Sequence, residues 1–194
     1  PWNYPILMLA WKFGPALACG NTIVLKPAEQ TPLTALYIAS LTKEAGFPAG
    51  VINVIPGYGP IAGHHLAYHM DVNKIAFTGS TVVGRKIQEA SAKTNLKRVS
   101  LELGGKSPLI VFDVDDNLLQ KAAEEASGSI FGNQGQSCCA SSRIFVHESV
   151  HDRFVDKLKK IAESKVVGDP FDKKTTNGAL ISDLQFRKVL DYIQ

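Results

Sequence analysis

The sequence lacks three features that would each assign it to a broad class of proteins. It has no large excess of one charge, since 21 Lys and Arg residues and 18 Asp and Glu residues leave a net charge of only +3, so no nucleic-acid partner is expected. It has no apolar run of the roughly 18 residues that a membrane helix needs, because Lys12 and Asn21 interrupt the two longest runs; no membrane partner is expected. Its three cysteines, Cys19, Cys138 and Cys139, cannot form a disulfide framework, which favours a reducing compartment.

The composition that remains is that of a folded globular protein. The 194 residues are 45% hydrophobic, a length and composition that suit one or two domains. The chain begins at Pro1 without a leader, and a helical apolar pattern reaches Ile193 without a stop signal. We therefore expect a segment of a longer polypeptide. The cytoplasm is the expected compartment, with the mitochondrial matrix as the alternative.

Short β-rich runs alternate with helical patterns along the first half of the chain. The predicted strands are 22–26, 51–55, 74–77 and 97–103. Thr31 is the expected N-cap of the first intervening helix, with Pro32 at its first position. Strands that alternate with helices in this way indicate βαβ units and a parallel sheet. The sequence therefore predicts an α/β fold with a Rossmann-like, partial dinucleotide-binding domain over 1–103.

The pattern restarts after two glycines at 104 and 105. A strand over 109–112 precedes an Asp-rich helix start and a helix that runs to about residue 130. A polar loop over 133–136, a strand over 143–147 and an amphipathic helix with an apolar face over 150–161 follow. Residues 104–194 are therefore predicted to begin a second, catalytic α/β domain.

Two clusters in the first domain suit a nucleotide. In 77–84 a strand turns through Gly79 and Ser80 into a helix, whose N–H groups can hold a phosphate; the alternative is a glycine turn with a serine cap. Lys26 and Glu29 follow a strand at the edge where parallel sheets bind ligands, and the carboxylate can accept hydrogen bonds from ribose hydroxyls. A solvated surface pair is the alternative for these two residues.

Three further observations concern reactive groups. Cys138 lies in a polar, glycine-containing loop that suits a nucleophile, although the adjacent Cys139 leaves the choice open, and Cys19 is expected to be a small buried side chain. Glu102, between two leucines, is expected to be partly desolvated and suited to act as a general base, or else to be a salt-bridged strand end. His65 and His69 have helical spacing but lack a third ligand, so no metal is expected.

In this order and spacing the residues resemble the aldehyde dehydrogenase superfamily across the whole chain. The motifs are PWNYP at 1–5, KPAE at 26–29, FTGSTVVG at 77–84, ELGGKSP at 102–108 and NQGQSC at 133–138. The resemblance implies that Cys138 is the nucleophile, Glu102 the general base and Asn3 an oxyanion donor. It implies a cofactor site of nine residues: Trp2, Lys26, Glu29, Gly59, Phe77, Gly79, Ser80, Gly84 and Leu103.

The resemblance implies oxidation of a small-molecule aldehyde to a carboxylic acid through a thioester on Cys138. NAD is the expected cofactor, with NADP as the alternative, and the full-length protein is expected to be a homo-oligomer, a dimer or tetramer. We expect the 194-residue chain by itself to be inactive, because parts of the family's site lie outside it. Near Ala179 the family usually has Gly-Pro, so the local turn is expected to differ.

Two other functions compete with this interpretation. A non-catalytic, crystallin-like relative of the same fold would have no need for Asn3, Glu102 and Cys138 together. A thiol-redox protein would use Cys138 and Cys139, but adjacent cysteines close only a strained ring. The sequence therefore favours the dehydrogenase.

Overall fold

The structure, a computed structural model, describes residues 1–194, and the chain divides into two compact units, Pro1–Leu103 and Gly104–Gln194. Both units combine helices with parallel strands, so the α/β class predicted from the sequence is confirmed. No helix is long and apolar enough to cross a bilayer.

The first unit alternates strands with helices. Its elements are α1 (Pro5–Ala18), β1 (Ile23–Leu25), α2 (Leu33–Glu44), β2 (Ile52–Val54), a π-helical turn (Gly59–Gly63), α3 (His64–Tyr68), β3 (Lys74–Thr78), α4 (Thr81–Lys93) and β4 (Arg98–Glu102). The four strands lie within the predicted ranges or within one residue of them. Helix α1 was not predicted, because Gly14 and Pro15 interrupt the helical pattern of its sequence.

The strands of this unit form two parallel pairs. β1 pairs with β2, and β3 pairs with β4, and no ladder joins the two pairs. In the second pair Thr78 lies opposite Glu102, at the carboxyl ends of both strands. Since ligands of open α/β sheets bind beyond the carboxyl ends of the strands, this edge positions the candidate site.

An apolar core holds α1 and α2 against the first strand pair. Leu9, Phe13 and Ala35 are buried. The partly buried residues packed around them are Leu17, Ile23, Leu25, Ile38, Ile52 and Val54. Burial of these side chains from water fixes both helices on the β1–β2 pair and thereby fixes the ends of the loops that follow each strand.

The start of α2 differs from the prediction by one residue. Pro32, not Thr31, occupies the N-cap position, and α2 begins at Leu33. The hydroxyl of Thr31 donates instead to the carbonyl oxygen of Trp2 at 3.3 Å. This hydrogen bond connects Thr31, in the loop after β1, to Trp2 in the N-terminal turn.

The second unit is built around α5 and α6. Its elements are β5 (Pro108–Val111), α5 (Asp116–Phe131), a 3₁₀ turn (Gly132–Gly135), β6 (Arg143–Val146), a short 3₁₀ helix (Glu148–Val150), α6 (His151–Glu163) and α7 (Asp183–Ile193). β5 and β6 form a parallel pair. The core consists of Val111, Leu119, Ala123, Ala126, Val150 and Phe154. The predicted strands and helices are present, and Asp115 caps α5 by accepting hydrogen bonds from Asn117 N and Leu118 N.

Candidate active site

Lys26 and Glu29 form an ordered pair beyond the end of β1. The ammonium of Lys26 donates to the carbonyl oxygens of Pro27 at 2.7 Å and Gly57 at 3.1 Å, and it lies 3.4 Å from Oε2 of Glu29. Only 16% of the Lys26 side chain is exposed. Lys26 is therefore largely enclosed, whereas the side chain of Glu29 remains 34% exposed to solvent.

The carboxylate of Glu29 is held in its ionised form. Partial burial opposes ionisation, but the backbone N–H groups of Glu29 and Gly59 and the charge of Lys26 outweigh it, so the pKa of Glu29 lies below its usual value of 4.5. The pair thus joins Gly59, from the turn after β2, to the loop after β1. These three predicted cofactor residues lie together.

The turn from β3 to α4 is packed too tightly for a side chain at its glycine. A Cβ at Gly79 would lie 2.5 Å from the ring of Phe77, so this ring covers the turn. Ser80 is the N-cap of α4, and its Oγ accepts a hydrogen bond from Val83 N at 3.3 Å. The first turn of a helix carries N–H groups without intrahelical partners, so this end of α4 can bind an anion.

Gly84 allows α4 to lie close to β4. A Cβ at this buried position would lie 2.9 Å from Cδ2 of Leu103 and 3.5 Å from Cδ1 of Leu101. The close approach of helix and strand sets where the N-terminus of α4 lies relative to the sheet edge. Gly84 and Leu103 are both predicted cofactor residues. Their packing determines the position of the turn between β3 and α4.

The N-terminal turn places Trp2 and Asn3 immediately before α1. Tyr4 has left-handed backbone angles, φ 50° and ψ 50°, and serves as the N-cap, with Pro5 at the first helical position. Trp2 and Asn3 are half-buried, and Trp2 is tethered by Thr31. A non-glycine residue with positive φ costs roughly 1–2 kcal/mol, so the surrounding contacts must fix this turn.

Glu102 is exposed at the end of β4, contrary to the partial desolvation that the sequence predicted. Successive side chains of a strand point to opposite faces, so Leu101 and Leu103 are partly buried while Glu102 faces away from them. Its carbonyl oxygen accepts a hydrogen bond from Gly79 N at 3.0 Å. The candidate base and the phosphate turn are thereby joined through the backbone.

Lys12 is a further candidate residue, which none of the sequence motifs indicated. Its ammonium donates to Oγ1 of Thr78 at 2.9 Å. Burial lowers the pKa of Lys12 below its usual value, and the carboxylate of Glu102 partly opposes this shift. Lys12 and Lys26 also line one cleft between α1, the end of β1 and α2. The signal in the sequence was a single lysine interrupting an apolar run.

Cys138 lies in the second unit, in the loop that follows α5. Three consecutive residues, Asn133, Gln134 and Gly135, have positive φ values of 49°, 56° and 72°. Cys138 is half-buried, and its carbonyl oxygen would lie 2.8 Å from a Cβ at Gly105. Gly105 thus permits the start of the second unit to approach the backbone of Cys138 closely.

The other two thiols are exposed. Cys139 contacts Oγ of Ser137 at 3.4 Å, and Cys19 caps the C-terminus of α1. The prediction that Cys19 is buried is wrong, because the chain turns away from the core at the end of that helix. His69 follows α3 in extended conformation, so it does not share a helical face with His65. No group of three or more His, Cys, Asp or Glu side chains is arranged to hold a metal ion.

The first unit therefore brings together Lys26, Glu29 and Gly59 in one group, and Lys12 with Thr78 and Glu102 in another. Cys138 belongs to the second unit, apart in sequence from Asn3 and Glu102. Each group is built on ordered backbone, which is what a binding or catalytic site requires.

Comparison with known proteins finds relatives that match the chain over its full length. The model of the aldehyde dehydrogenase family matches residues 1–194. The chain is 58% identical over 193 residues to a mitochondrial aldehyde dehydrogenase of Homo sapiens, covering 100% of this chain and 37% of that protein. It therefore spans less than two fifths of the length of that relative.

Solved structures agree with this assignment. The gamma-glutamyl-gamma-aminobutyraldehyde dehydrogenase of Burkholderia cenocepacia J2315 is 54% identical, with a TM-score of 0.92 over 100% of this chain and 39% of that one. An NAD⁺ complex of an aldehyde dehydrogenase from Bacillus cereus is 51% identical, with a TM-score of 0.92 and the same coverage.

Proposed function

The chain belongs to the aldehyde dehydrogenase family, and on that premise we propose that the full-length protein oxidises an aldehyde to a carboxylic acid with NAD as the electron acceptor. The observation that carries the proposal is the half-buried thiol of Cys138, in a loop of unusual backbone conformation that matches the family's cysteine motif. The half-chain 1–103 would bind the coenzyme, and 104–194 would contribute the nucleophile.

The residues of the first unit fit a dinucleotide. Glu29 is an ionised acceptor for ribose hydroxyls, and Lys26 fixes its orientation. The first turn of α4, which begins after Ser80, offers backbone N–H groups to phosphate oxygens, while Gly84 and Leu103 set its position. Trp2 and Phe77 contribute apolar surface next to these groups. Bound NAD supplies the acceptor for the hydride that leaves the former aldehyde carbon.

NAD is proposed in preference to NADP for an electrostatic reason. The 2′-phosphate of NADP would meet the carboxylate of Glu29, where NAD offers a hydroxyl that donates a hydrogen bond. Lys26 does not fully cancel the repulsion between Glu29 and a 2′-phosphate, since its ammonium also donates hydrogen bonds to two carbonyl oxygens. The NAD⁺ complex of the Bacillus cereus relative supports the same choice.

Cys138 would perform the covalent chemistry. Its thiolate adds to the aldehyde carbon, forming a C–S bond and an oxyanion that the side-chain amide of Asn3 and the N–H of Cys138 stabilise. Loss of hydride from that carbon restores the C=O bond and leaves a thioester.

Glu102 would complete the cycle. Its carboxylate accepts a proton from water, and the resulting hydroxide adds to the thioester carbon. The C–S bond then breaks, releasing the carboxylic acid and regenerating the thiolate. The exposure of Glu102 gives it direct access to water and to a proton acceptor in solvent.

Comparison of two single-thiol variants tests the proposal. Cys138→Ser in the full-length protein should abolish NADH formation from an aldehyde such as propanal, because a neutral hydroxyl is a far weaker nucleophile than a thiolate. Cys139→Ser, the matched control, should retain most of the activity. Equal losses would show that the loop is structural or that the other thiol reacts, and inactivity of the unmodified protein would favour a non-catalytic relative.

A further inference from the structure

The cysteine loop, residues 131–138, is held by a distant stretch of the same unit, the brace, residues 177–181. Nδ2 of Asn177 donates to the carbonyl oxygen of Phe131 at 2.9 Å, and Ile181 N donates to Oε1 of Gln136 at 3.1 Å. In the amide orientation that satisfies both of its polar atoms, the oxygen of Gln134 accepts from Gly178 N at 3.0 Å.

The loop needs outside support because its backbone is strained. Asn133 and Gln134 both lie in the left-handed region, where non-glycine residues are disfavoured. Within the loop, Nδ2 of Asn133 donates to the carbonyl oxygen of Gln136 at 3.1 Å, and Nε2 of Gln136 donates to that of Asn133 at 3.0 Å. These bonds stabilise the loop locally, and its contacts with the brace attach it to residues 177–181 of the same unit.

The brace is itself fixed at Asn177. Its backbone N–H donates to the carbonyl oxygen of Val166 at 3.0 Å, and its carbonyl oxygen accepts from Gly168 N at 3.2 Å. Oγ1 of Thr176 donates to Oδ1 of Asn177 at 3.0 Å, which directs the amide nitrogen towards Phe131. Because hydrogen bonds fix both the backbone and the amide oxygen of Asn177, its amide nitrogen is well placed to fix the position of the cysteine loop.

We propose that Asn177 is a positioning residue that sets the location and exposure of the Cys138 thiol through the cysteine loop. The brace holds the chain at Phe131, the last residue of α5 and the start of the cysteine loop, and again at Gln136, two residues before Cys138. Both ends of the strained stretch are therefore fixed, and the thiol position follows from them. The expected change in kcat rests on the proposed function, whereas the expected change in the exposure of the Cys138 thiol does not.

The experiment uses the full-length protein and two readouts. The first is the rate at which iodoacetamide alkylates Cys138 without cofactor or aldehyde, measured by peptide mass spectrometry with Cys19 as the internal reference. The second is kcat and KM for an aldehyde with NAD. The variants are Asn177→Ala, which removes the amide, and Asn177→Asp, which keeps the shape but removes the donor. Asp172→Ala is the matched control, because the carboxylate of Asp172 accepts a hydrogen bond from Lys174 N in a neighbouring turn.

Release of the loop should raise Cys138 alkylation at least threefold in both Asn177 variants, with Cys19 unchanged. Since a misplacement of about 1 Å can cost roughly 100-fold in rate, kcat should fall about 10- to 100-fold while KM for the aldehyde stays within about twofold. Asp172→Ala should leave both readouts unchanged. Unaltered alkylation of Cys138 in folded Asn177 variants would overturn the inference, even if kcat fell.

Two further outcomes separate the inference from the proposed function. If the unmodified protein oxidises no aldehyde, the proposed function fails, and the alkylation rates still decide whether Asn177 positions the thiol. If Asn177→Ala and Asn177→Asp lose their cooperative melting transition, Asn177→Gln replaces them, because it keeps the donor one methylene further out. Cys138 alkylation raised at least twofold in that variant supports the inference, and an unchanged rate contradicts it.

Discussion

The ammonium of Lys12 donates a hydrogen bond to Oγ1 of Thr78 across 2.9 Å. This bond joins α1 to the last residue of β3, whose ladder partner is Glu102. The carboxylate of Glu102 in turn stabilises the charge of Lys12 against the burial that lowers its pKa. Residues from three separated parts of the sequence thus meet at the carboxyl edge of one strand pair.

Lys12→Met should weaken binding of the anionic cofactor. The substitution removes a positive charge from the cleft that Lys12 shares with Lys26, and it frees Thr78. One charge–charge attraction in a cleft open to solvent contributes about 1 kcal/mol, so we expect KM for NAD to rise about fivefold. Steady-state kinetics on the full-length protein give this value. Lys43→Met, at an exposed lysine of α2, is the control, and an equal rise there would mean that only net charge matters.

Glu29→Gln should reduce the preference for NAD over NADP. The amide keeps the shape of the side chain but loses the charge that repels a 2′-phosphate, so the ratio of kcat/KM for the two cofactors should fall about tenfold. Glu44→Gln, at the end of α2, is a matched control. A strong NADP preference in the unmodified protein would contradict the assignment of Glu29 to the ribose.

Binding of NAD should be insensitive to mild acid. The pKa of Glu29 is depressed, so its carboxylate stays ionised until the pH falls below 4.5, and its contribution is lost only as the pH passes through the lowered value. We expect the affinity for NAD, measured by calorimetry, to stay constant from pH 8 to pH 5. A decline centred near pH 6 would indicate that another group, such as a histidine, governs NAD binding.

Gly84→Val should displace α4 from β4. Its branched side chain would meet Cδ2 of Leu103 where even a Cβ lies only 2.9 Å away. Overpacking of this kind costs about 1–3 kcal/mol, and the shift of the phosphate turn should raise KM for NAD. Gly128→Ala in α5 is the control, because a Cβ there meets nothing within 4 Å. Thermal melting and NAD kinetics measure the two effects, and normal values for both in Gly84→Val would refute the packing argument.

The strands and most helices could be predicted because their signals are local. The apolar runs of β1 to β6 and the caps at Ser80 and Asp115 are formed by neighbours in the sequence, and the structure contains them. The N-terminal helix α1 was missed because Gly14 and Pro15 disrupt its pattern, while tertiary packing of Leu9 and Phe13 stabilises it.

The contacts between separated segments could not be predicted in this way. Thr31 carries the sequence signature of an N-cap, yet its hydroxyl bonds to Trp2, 29 residues away. The Lys12–Thr78 bond spans 66 residues, and the Asn177–Phe131 bond spans 46. The apolar neighbours of Glu102 in the sequence suggested burial, but successive residues of a strand point to opposite faces, and Glu102 is exposed. The motifs identified candidate residues, whereas their surroundings depend on the tertiary structure.

The central claim is that Cys138 carries the acyl group during the reaction, and Glu102→Gln offers the most direct test. An amide cannot accept the water proton, so hydrolysis should stall and the thioester should accumulate. The full-length variant is mixed with propanal and NAD, quenched in acid and digested for mass spectrometry. We predict a burst of NADH without steady turnover and a propanoyl group on Cys138, with Cys139 unmodified. An unmodified Cys138 in a protein that has produced its burst of NADH would contradict the account.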